Sequence, residues 1–393
     1  SAMAIIQAVS FMIGMGAGTH VSQALGAGNR EKADAYASTS FFTAFIVGVI
    51  LAFFSLTNID AVVRFLGSTE TIAPYAKDYA TYIFYAMPFM MCSFVMNNLL
   101  RFEGLTMYGM VGITAGGILN IVLDPILIFA LDMGTAGAAL ATILSQVVSA
   151  VLVMFTLCRS PQVYRVQLKK IRFYGDMFNL IIRIGLPAGL QSVMYSLSNI
   201  IIQASVNGFG TDVMAAYTAY GKVDGMYWMV INAFGVAITT FVGQNFGARL
   251  YDRMKKSINV CLGIAAAVTL LLSGVLMVVA EPLIGLFSDD AQVLEIGLSI
   301  VRLIVPTYIT YIFIEILSGA MRGAGDSLIP TIMTLTGVCL LRLFWVMVIV
   351  PAHHELNVLL LSYPITWIVT SAMFVVYYLR GNWLKRCIKA QGE

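Results

Sequence analysis

Asp124 stands in "LNIVLDPILIFAL" (119–131), surrounded by apolar and small residues and followed directly by Pro125. A carboxylate in such company is costly unless it holds a ligand, a proton or a partner. Asn120 lies one helical turn earlier, on the same face. An amide and a carboxylate at i, i+4 offer oxygen ligands to a hard cation such as Na+; in a dry setting the carboxylate carries a proton instead. Pro125 removes a backbone donor and bends the helix, which opens a carbonyl beside the acid. The competing reading is structural, a carboxylate that caps a kinked helix or pairs with a buried base.

Six other charges fall inside apolar runs: Arg183, Lys222, Asp224, Arg302, Glu315 and Arg342. Arg183 is close enough to a helix start to snorkel to the interface, and Arg302 sits near the outer end of its run. Glu315 and Arg342 are deeper, and pairing across helices would hold the second half of the chain together. Gln191, Tyr195, Asn199, Gln203 and Asn207 recur at four-residue spacing. They form a slowly winding polar stripe that must face protein or water rather than lipid. Interhelical hydrogen bonding explains such a stripe, and so does an aqueous cavity. "GKVDGMYW" (221–228) adds Lys222, Asp224, Tyr227 and Trp228; Lys222 and Asp224 are two residues apart, so they point in different directions. Gln191, Tyr195, Asn199, Gln203, Lys222 and Asp224 are therefore the expected lining of a substrate cavity. The 22 Met, 23 Phe and 18 Tyr suit either varied organic cations or ordinary packing.

The elements that position these groups must cross a membrane. Hydrophobic residues make up 59% of the chain and charged residues 11%, against about 25% charged in a soluble domain. Apolar runs long enough to span a bilayer fall at about 1–26, 36–57, 78–100, 108–131, 135–158, 178–207, 214–245, 257–280, 294–320, 328–351 and 357–380. The intervening loops divide sharply by charge. Loops 27–35, 100–107, 159–177, 246–256, 321–327 and the tail carry seventeen Lys and Arg; the alternate set carries only Arg64 and Lys77. The basic set is expected on the cytoplasmic side, and the C-terminus with it.

An internal repeat runs through this pattern. "FMIGMGAGTHVSQALGAGNREK" (11–32) lies over "NAFGVAITTFVGQNFGARLYDR" (232–253) at an offset of 221, with Gly14/Gly235, Thr19/Thr240, Gln23/Gln244, Gly26/Gly247 and Ala27/Ala248 identical. The same offset pairs Arg101 with Arg322 and Gly104 with Gly325. Both copies lead into basic loops, so the repeat is parallel, as in many secondary transporters. The expected fold is an all-α polytopic membrane protein of two six-helix lobes with eleven helices visible, the first copy lacking its first helix. Residues 1–158 form the N-lobe, 159–177 a basic cytoplasmic linker and 178–393 the C-lobe with its cytoplasmic tail.

The pattern excludes much. The five cysteines are scattered, with no CxxC or Cys/His cluster, and the three histidines show no metal spacing beyond the adjacent His353–His354. HExxH and GxSxG are absent, and the Gly-rich runs "GMGAG" (14–18) and "GTAGAALAT" (134–142) have no strand before them and no Lys-Ser/Thr after them. They read as close-packing helix faces. No enzyme, cofactor or nucleic-acid partner is expected.

"GMGAGTHVSQALGAGNREKA", the "LDP" of the fourth visible helix, "GAALAT", "FGVAITTFVGQNFGA" and "MRGAGDS" together resemble the multidrug and toxic compound extrusion (MATE) transporters. The resemblance covers essentially the whole chain. It implies a twelve-helix bundle in the bacterial inner membrane, working as a monomer and exchanging Na+ or H+ for organic, often cationic, compounds by alternating access. It also implies a cation site in the N-lobe built from Asn120 and Asp124 with Thr142 on the next helix; the family's first-helix Asp has no counterpart here. The repeat equivalent of that site carries Arg342 and no acid, which favours a single cation site. The nearest rival reading, a lipid-linked oligosaccharide flippase of the same superfamily, calls for a strongly cationic cavity that Lys222, Arg302 and Arg342 do not make; a non-transporting scaffold leaves the repeat unexplained.

Overall fold

The computed structural model describes residues 2–65, 69–159 and 172–390; most of the expected basic linker (160–171) lies outside them. Every described element is helical. In chain order they are α1 (Ala2–Gly26), α2 (Arg30–Thr57), α3 (Ile59–Phe65), α4 (Ala73–Phe102), α5 (Thr106–Pro125), α6 (Gly134–Arg159), α7 (Gly175–Asn207), α8 (Thr211–Gly247) and α9 (Tyr251–Gly285). There follow α10 (Ala291–Ile304), α11 (Tyr308–Gly323), α12 (Leu328–Thr334), α13 (Leu341–Phe344), α14 (Val350–His353), α15 (Leu356–Leu360), α16 (Ser362–Leu379) and α17 (Asn382–Ala390). Several are segments of one longer rod. α10 and α11 join through a 3-10 turn at Val305–Thr307, and α12, α13 and α14 join through π turns at Leu335–Leu340 and Trp345–Ile349. Counted as rods, eleven helices among the described residues are long and apolar enough to cross a membrane, the number expected. Helices are the natural answer in lipid because each satisfies its own backbone donors and acceptors.

The chain divides into two compact units, Ser1–Gly189 and Leu190–Glu393; the division falls inside α7. In the first unit α4 is central and packs on α1, α2 and α6, while α5 leans on α6. The α5–α6 contact is a small-residue seam. A Cβ added at Gly116 would lie 2.9 Å from the Ser145 carbonyl oxygen, and one at Gly112 2.8 Å from Val153 Cγ2. His20 of α1 stacks on Tyr36 of α2 with ring centroids 4.9 Å apart, and its Nε2 is 3.1 Å from the Leu180 carbonyl oxygen. The first half of α7 is thereby tied to this unit.

In the second unit α8 packs on α9, α10 and α11, and α11 on α16. The core holds Tyr227, Tyr308, Phe246, Trp367 and Phe374, each 2% exposed or less. A second glycine seam draws α8 and α11 together, with Gly319 against the Gly235 carbonyl and Gly323 against the Thr239 carbonyl.

The internal repeat is legible in backbone hydrogen bonds. α1 ends with Asn29 N–H donating to Ala24 O at 2.9 Å and Gly28 N–H to Leu25 O at 3.0 Å; 221 residues later α8 ends with Leu250 N–H to Asn245 O at 2.8 Å and Arg249 N–H to Phe246 O at 3.0 Å. Gly28 and Arg249 both have positive φ, +72° and +60°. The rods ending at Phe102 and Gly323 close in the same way, through Leu105 N–H to Leu100 O and Asp326 N–H to Met321 O, both 2.9 Å. Each is a Schellman-type stop, which satisfies last-turn carbonyls and needs one left-handed residue. Glycine supplies it at Gly104 (+84°) and Gly325 (+99°). Arg249 adopts the same conformation at some cost, since L side chains disfavour it.

The glycine seam is directly testable. Gly319→Val puts branched carbon where a Cβ alone would already lie 2.9 Å from both the Gly235 carbonyl oxygen and Ile238 Cγ2. The expected result is a loss of about 1–3 kcal/mol from overpacking, read as a lower thermal unfolding midpoint of the purified protein, with Gly319→Ala intermediate.

Candidate functional site

The helix α5 stops where Pro125 removes a donor, and the chain continues as a single π turn, Ile126–Ala130. π turns of this kind often mark functional positions in helices. In the second unit the 221-residue equivalents are 347–351, and the π turn Trp345–Ile349 overlaps them. Both copies therefore loosen the helix at the same depth, and only the first places an acid there. Asp124 and Asn120 are half-buried, with Asn120 Nδ2 3.4 Å from Asp124 Oδ1. The contact is long for a hydrogen bond, and a half-turn of the amide presents its oxygen instead. Asp124 makes no ion pair with any described residue. Thr142 lies on α6, the helix against α5, with its hydroxyl donating to the Ala138 carbonyl at 3.0 Å. The fold thus puts the Asp124–Asn120 pair and Thr142 on two adjacent helices.

A second acid has a far denser environment. Asp224 Oδ1 accepts from the Tyr220 hydroxyl at 3.0 Å and from the Tyr308 hydroxyl, and Oδ2 accepts from Trp228 Nε1 at 2.7 Å. Tyr220 and Trp228 are one turn to either side on α8, so that helix supplies two of the three donors itself. Tyr308 comes from the start of α11, just after the 3-10 turn at Val305–Thr307. Its ring stacks on Tyr227 with centroids 4.0 Å apart and planes 5° from parallel. Trp228 meets Tyr311 edge to face at 4.6 Å, and Tyr311 meets Trp367 of α16 at 5.7 Å. Three neutral donors thus converge on this carboxylate, two from its own helix and one from α11.

Two further polar groups border this aromatic cluster. Glu315 Oε2 is 3.4 Å from the Tyr311 hydroxyl, and its other oxygen lies against Gly235 where a side chain would sit. Arg342 is 3% exposed; its Nη2 donates to Thr366 Oγ1 at 2.9 Å, and its guanidinium carbon is 4.4 Å from the centre of the Tyr363 ring. Its Nε has no hydrogen-bond partner among the described residues. The expected Glu315–Arg342 ion pair is not made: each finds an aromatic or hydroxyl partner on its own side of the cluster.

The expected cavity residues separate. Tyr195 joins the cluster through a 3.5 Å contact between its hydroxyl and that of Tyr311. Gln191 is 8% exposed, Asn199 is exposed, and Gln203 donates to Asn207 Oδ1 at 3.0 Å. The stripe winds from the interior to the surface of its unit, as a four-residue spacing on a 3.6-residue helix must. Lys222 is exposed and points away from Asp224. Tyr220 and Trp228 could be read from their spacing to Asp224. Tyr308, 84 residues on, leaves no such trace. Among the described residues no three His, Cys, Asp or Glu side chains gather closely enough to hold a metal ion by themselves.

Known proteins match over nearly all of this chain. The MatE family model fits residues 1–126 and 187–348. "Probable multidrug resistance protein YoeA" of Bacillus subtilis (strain 168) is 28% identical over 341 residues, covering 84% of this chain and 73% of that protein. "Multidrug export protein MepA" of Staphylococcus aureus (strain MRSA252) is 25% identical over 391 residues, covering 96% and 84%. Among solved structures, a MATE protein in its bent conformation superposes with a TM-score of 0.87 at 24% identity, covering 98% of this chain and 86% of the other. A MOP superfamily transporter from Pyrococcus furiosus gives 0.88 at 24%, covering 97% and 86%.

The hydrogen bonds to Asp224 are separable by a double-mutant cycle. Tyr308→Phe removes a donor to a charged acceptor and should cost about 1.5–3 kcal/mol, measured by unfolding of the purified protein. The same change made in an Asp224→Asn background should cost clearly less, because the coupling is between those two side chains.

Proposed function

The chain belongs to the MatE family of membrane transporters, and on that premise we propose that it is a secondary active multidrug efflux antiporter that exchanges Na+ or H+ for organic, often cationic, compounds by alternating access. The single observation that carries the antiport reading is the pair of acids placed in spanning helices without a basic partner. Among the described residues, Asp124 has the Asn120 amide 3.4 Å away as its side-chain partner, and the donors to Asp224 are neutral. A carboxylate so placed attracts cations, and binding one offsets its charge.

The two acids suit different cations. The Asp124 pair, with Thr142 on the adjoining helix, offers carboxylate, amide and hydroxyl oxygens, the ligand set of a hard ion. Asp224 lies among aromatic faces, the surroundings that favour an organic cation; Tyr195, from the polar stripe of α7, reaches the same cluster. Gln191, Asn199, Gln203 and Lys222 complete the proposed substrate-contacting set. Coupling follows if the ion and the drug prefer different states of the protein, since a ligand shifts an equilibrium only by its differential affinity. The names of YoeA and MepA, both tied to drug resistance or export, support the substrate class. The proposed location is the bacterial inner membrane, and the charge split of the loops supports a cytoplasmic C-terminus.

Expression in cells stripped of their main efflux pumps tests this reading. Loss of a preloaded fluorescent organic cation should accelerate when a Na+ or H+ gradient is imposed. Asp124→Asn should remove the gradient dependence, and Asp224→Asn should raise the half-saturating drug concentration about ten-fold, the equivalent of one lost contact of about 1.4 kcal/mol. Retention that ignores both gradients would overturn the antiport reading.

A further inference from the structure

The short helix α17 follows the last spanning rod after only Arg380 and Gly381. Gly381 takes φ = +70°, and its N–H donates to Tyr378 O at 3.1 Å, so the chain turns sharply as it leaves the span. The nine residues "NWLKRCIKA" then separate cleanly by face. Trp383 (2% exposed), Leu384 (8%) and Cys387 (5%) are buried in the second unit. Trp383 stacks on Tyr378 with centroids 5.7 Å apart, and burial pushes the Cys387 thiol up to about 12, so it stays a neutral packing group. Lys385, Arg386 and Lys389 are exposed, as is Arg380 just before the helix. No acidic residue occurs between Arg380 and Ala390.

This differs from an ordinary amphipathic surface helix. Such a helix buries its apolar face in lipid; here that face is occupied by the protein's own core. What remains available is a row of cations that starts at Arg380, directly after the membrane-spanning segment, and continues along the short helix beside the headgroup region. Cationic side chains at that depth attract anionic lipids, by about 1 kcal/mol each. The helix is also held in place by Arg386, whose Nη1 is 3.4 Å from the Tyr377 hydroxyl. The helix that carries the charges is thus in place before any lipid arrives, which lowers the entropic cost of binding.

We propose that the outer face of α17, with Arg380, Lys385 and Lys389 as the principal contacts, is a binding site for the phosphate headgroups of anionic phospholipids. The proposal rests on the membrane-spanning reading of the fold and is independent of what is transported. Because the apolar face is already packed, selectivity follows headgroup charge and not acyl chain, and it weakens as salt screens the charges.

Native mass spectrometry of the delipidated full chain in neutral detergent, offered equal amounts of phosphatidylglycerol and phosphatidylcholine of the same chain length, tests it. The wild type should retain phosphatidylglycerol with about ten-fold or greater preference, and Lys385→Gln with Lys389→Gln should reduce the preference to about two-fold, with Arg380→Gln removing the rest. That double variant spares Arg386 and its tyrosine contact, and an unchanged unfolding midpoint would show the helix still docked. A wild type without headgroup preference would overturn the proposal, and so would a folded double variant that keeps the full preference. Neither result bears on drug export, which the gradient assay reads separately.

Discussion

A carboxylate in an apolar helix must be satisfied by what the neighbouring side chains donate, and the second unit is arranged around one solution to that demand. Asp224 receives a tyrosine from the preceding turn of α8, a tryptophan from the following turn and a tyrosine from α11. The third donor is available only because α8 and α11 approach closely, and they do so over glycines at 235, 319 and 323. Widening that seam would withdraw Tyr308 from Asp224 and unstack it from Tyr227. The hydrogen bonds, the stacked rings and the glycines are one construction: small residues set the distance, rings fill the volume beyond them, and hydroxyls at the ring tips meet the charge.

The repeat shows how such a site arises without changing the frame. Both copies stop their helices with the same hydrogen-bonding pattern at the same offset, and both insert a π turn at the corresponding depth of the penultimate rod. Backbone geometry is shared because it serves the bilayer, which constrains both copies equally. Side-chain chemistry is not shared. The first copy places Asp124 and Asn120 beside its π turn; the second places Arg342 there, against Tyr363 and Thr366. Duplication fixed the scaffold, and the polar residues diverged on it.

Much of this was legible in the sequence for physical reasons. Spanning rods declare themselves by length and apolarity, and all eleven were found. The repeat was visible because positions that need glycine or a fixed helix stop tolerate few alternatives. Asn120 and Asp124 could be paired because one helical turn is a local relation; Tyr220 and Trp228 stand in the same relation to Asp224 but were not singled out as its partners. The contacts from distant segments were not legible. Nothing in the pattern announces that Tyr308 reaches Asp224, or that Tyr195 reaches Tyr311, since both relations join different helices and leave no period. The expected Glu315–Arg342 pair failed for a related reason. Opposite charges at similar depth suggest a pair, but each side chain is already engaged elsewhere, Glu315 with Tyr311 on its own helix and Arg342 with Thr366 and the Tyr363 ring of α16.

The two acids differ in a way that bears on which ion each accommodates. Trp228 Nε1–H is a donor only, and at 2.7 Å it occupies one of the lone pairs of Asp224 Oδ2. A hard cation cannot sit on that side, because it would meet a hydrogen and not a lone pair. An organic cation lacks this difficulty, since it binds over the faces of the surrounding rings and leaves the hydrogen bond intact. Asp124 has no such fixed donor. Its nearest polar neighbour is an amide that can turn its oxygen inward, and the next helix carries a threonine hydroxyl, so a compact ion can collect several oxygens there. Two carboxylates in similar apolar surroundings are therefore distinguished by their hydrogen-bond donors. That difference supports the proposal of an ion site in the first unit and an organic-cation site in the second.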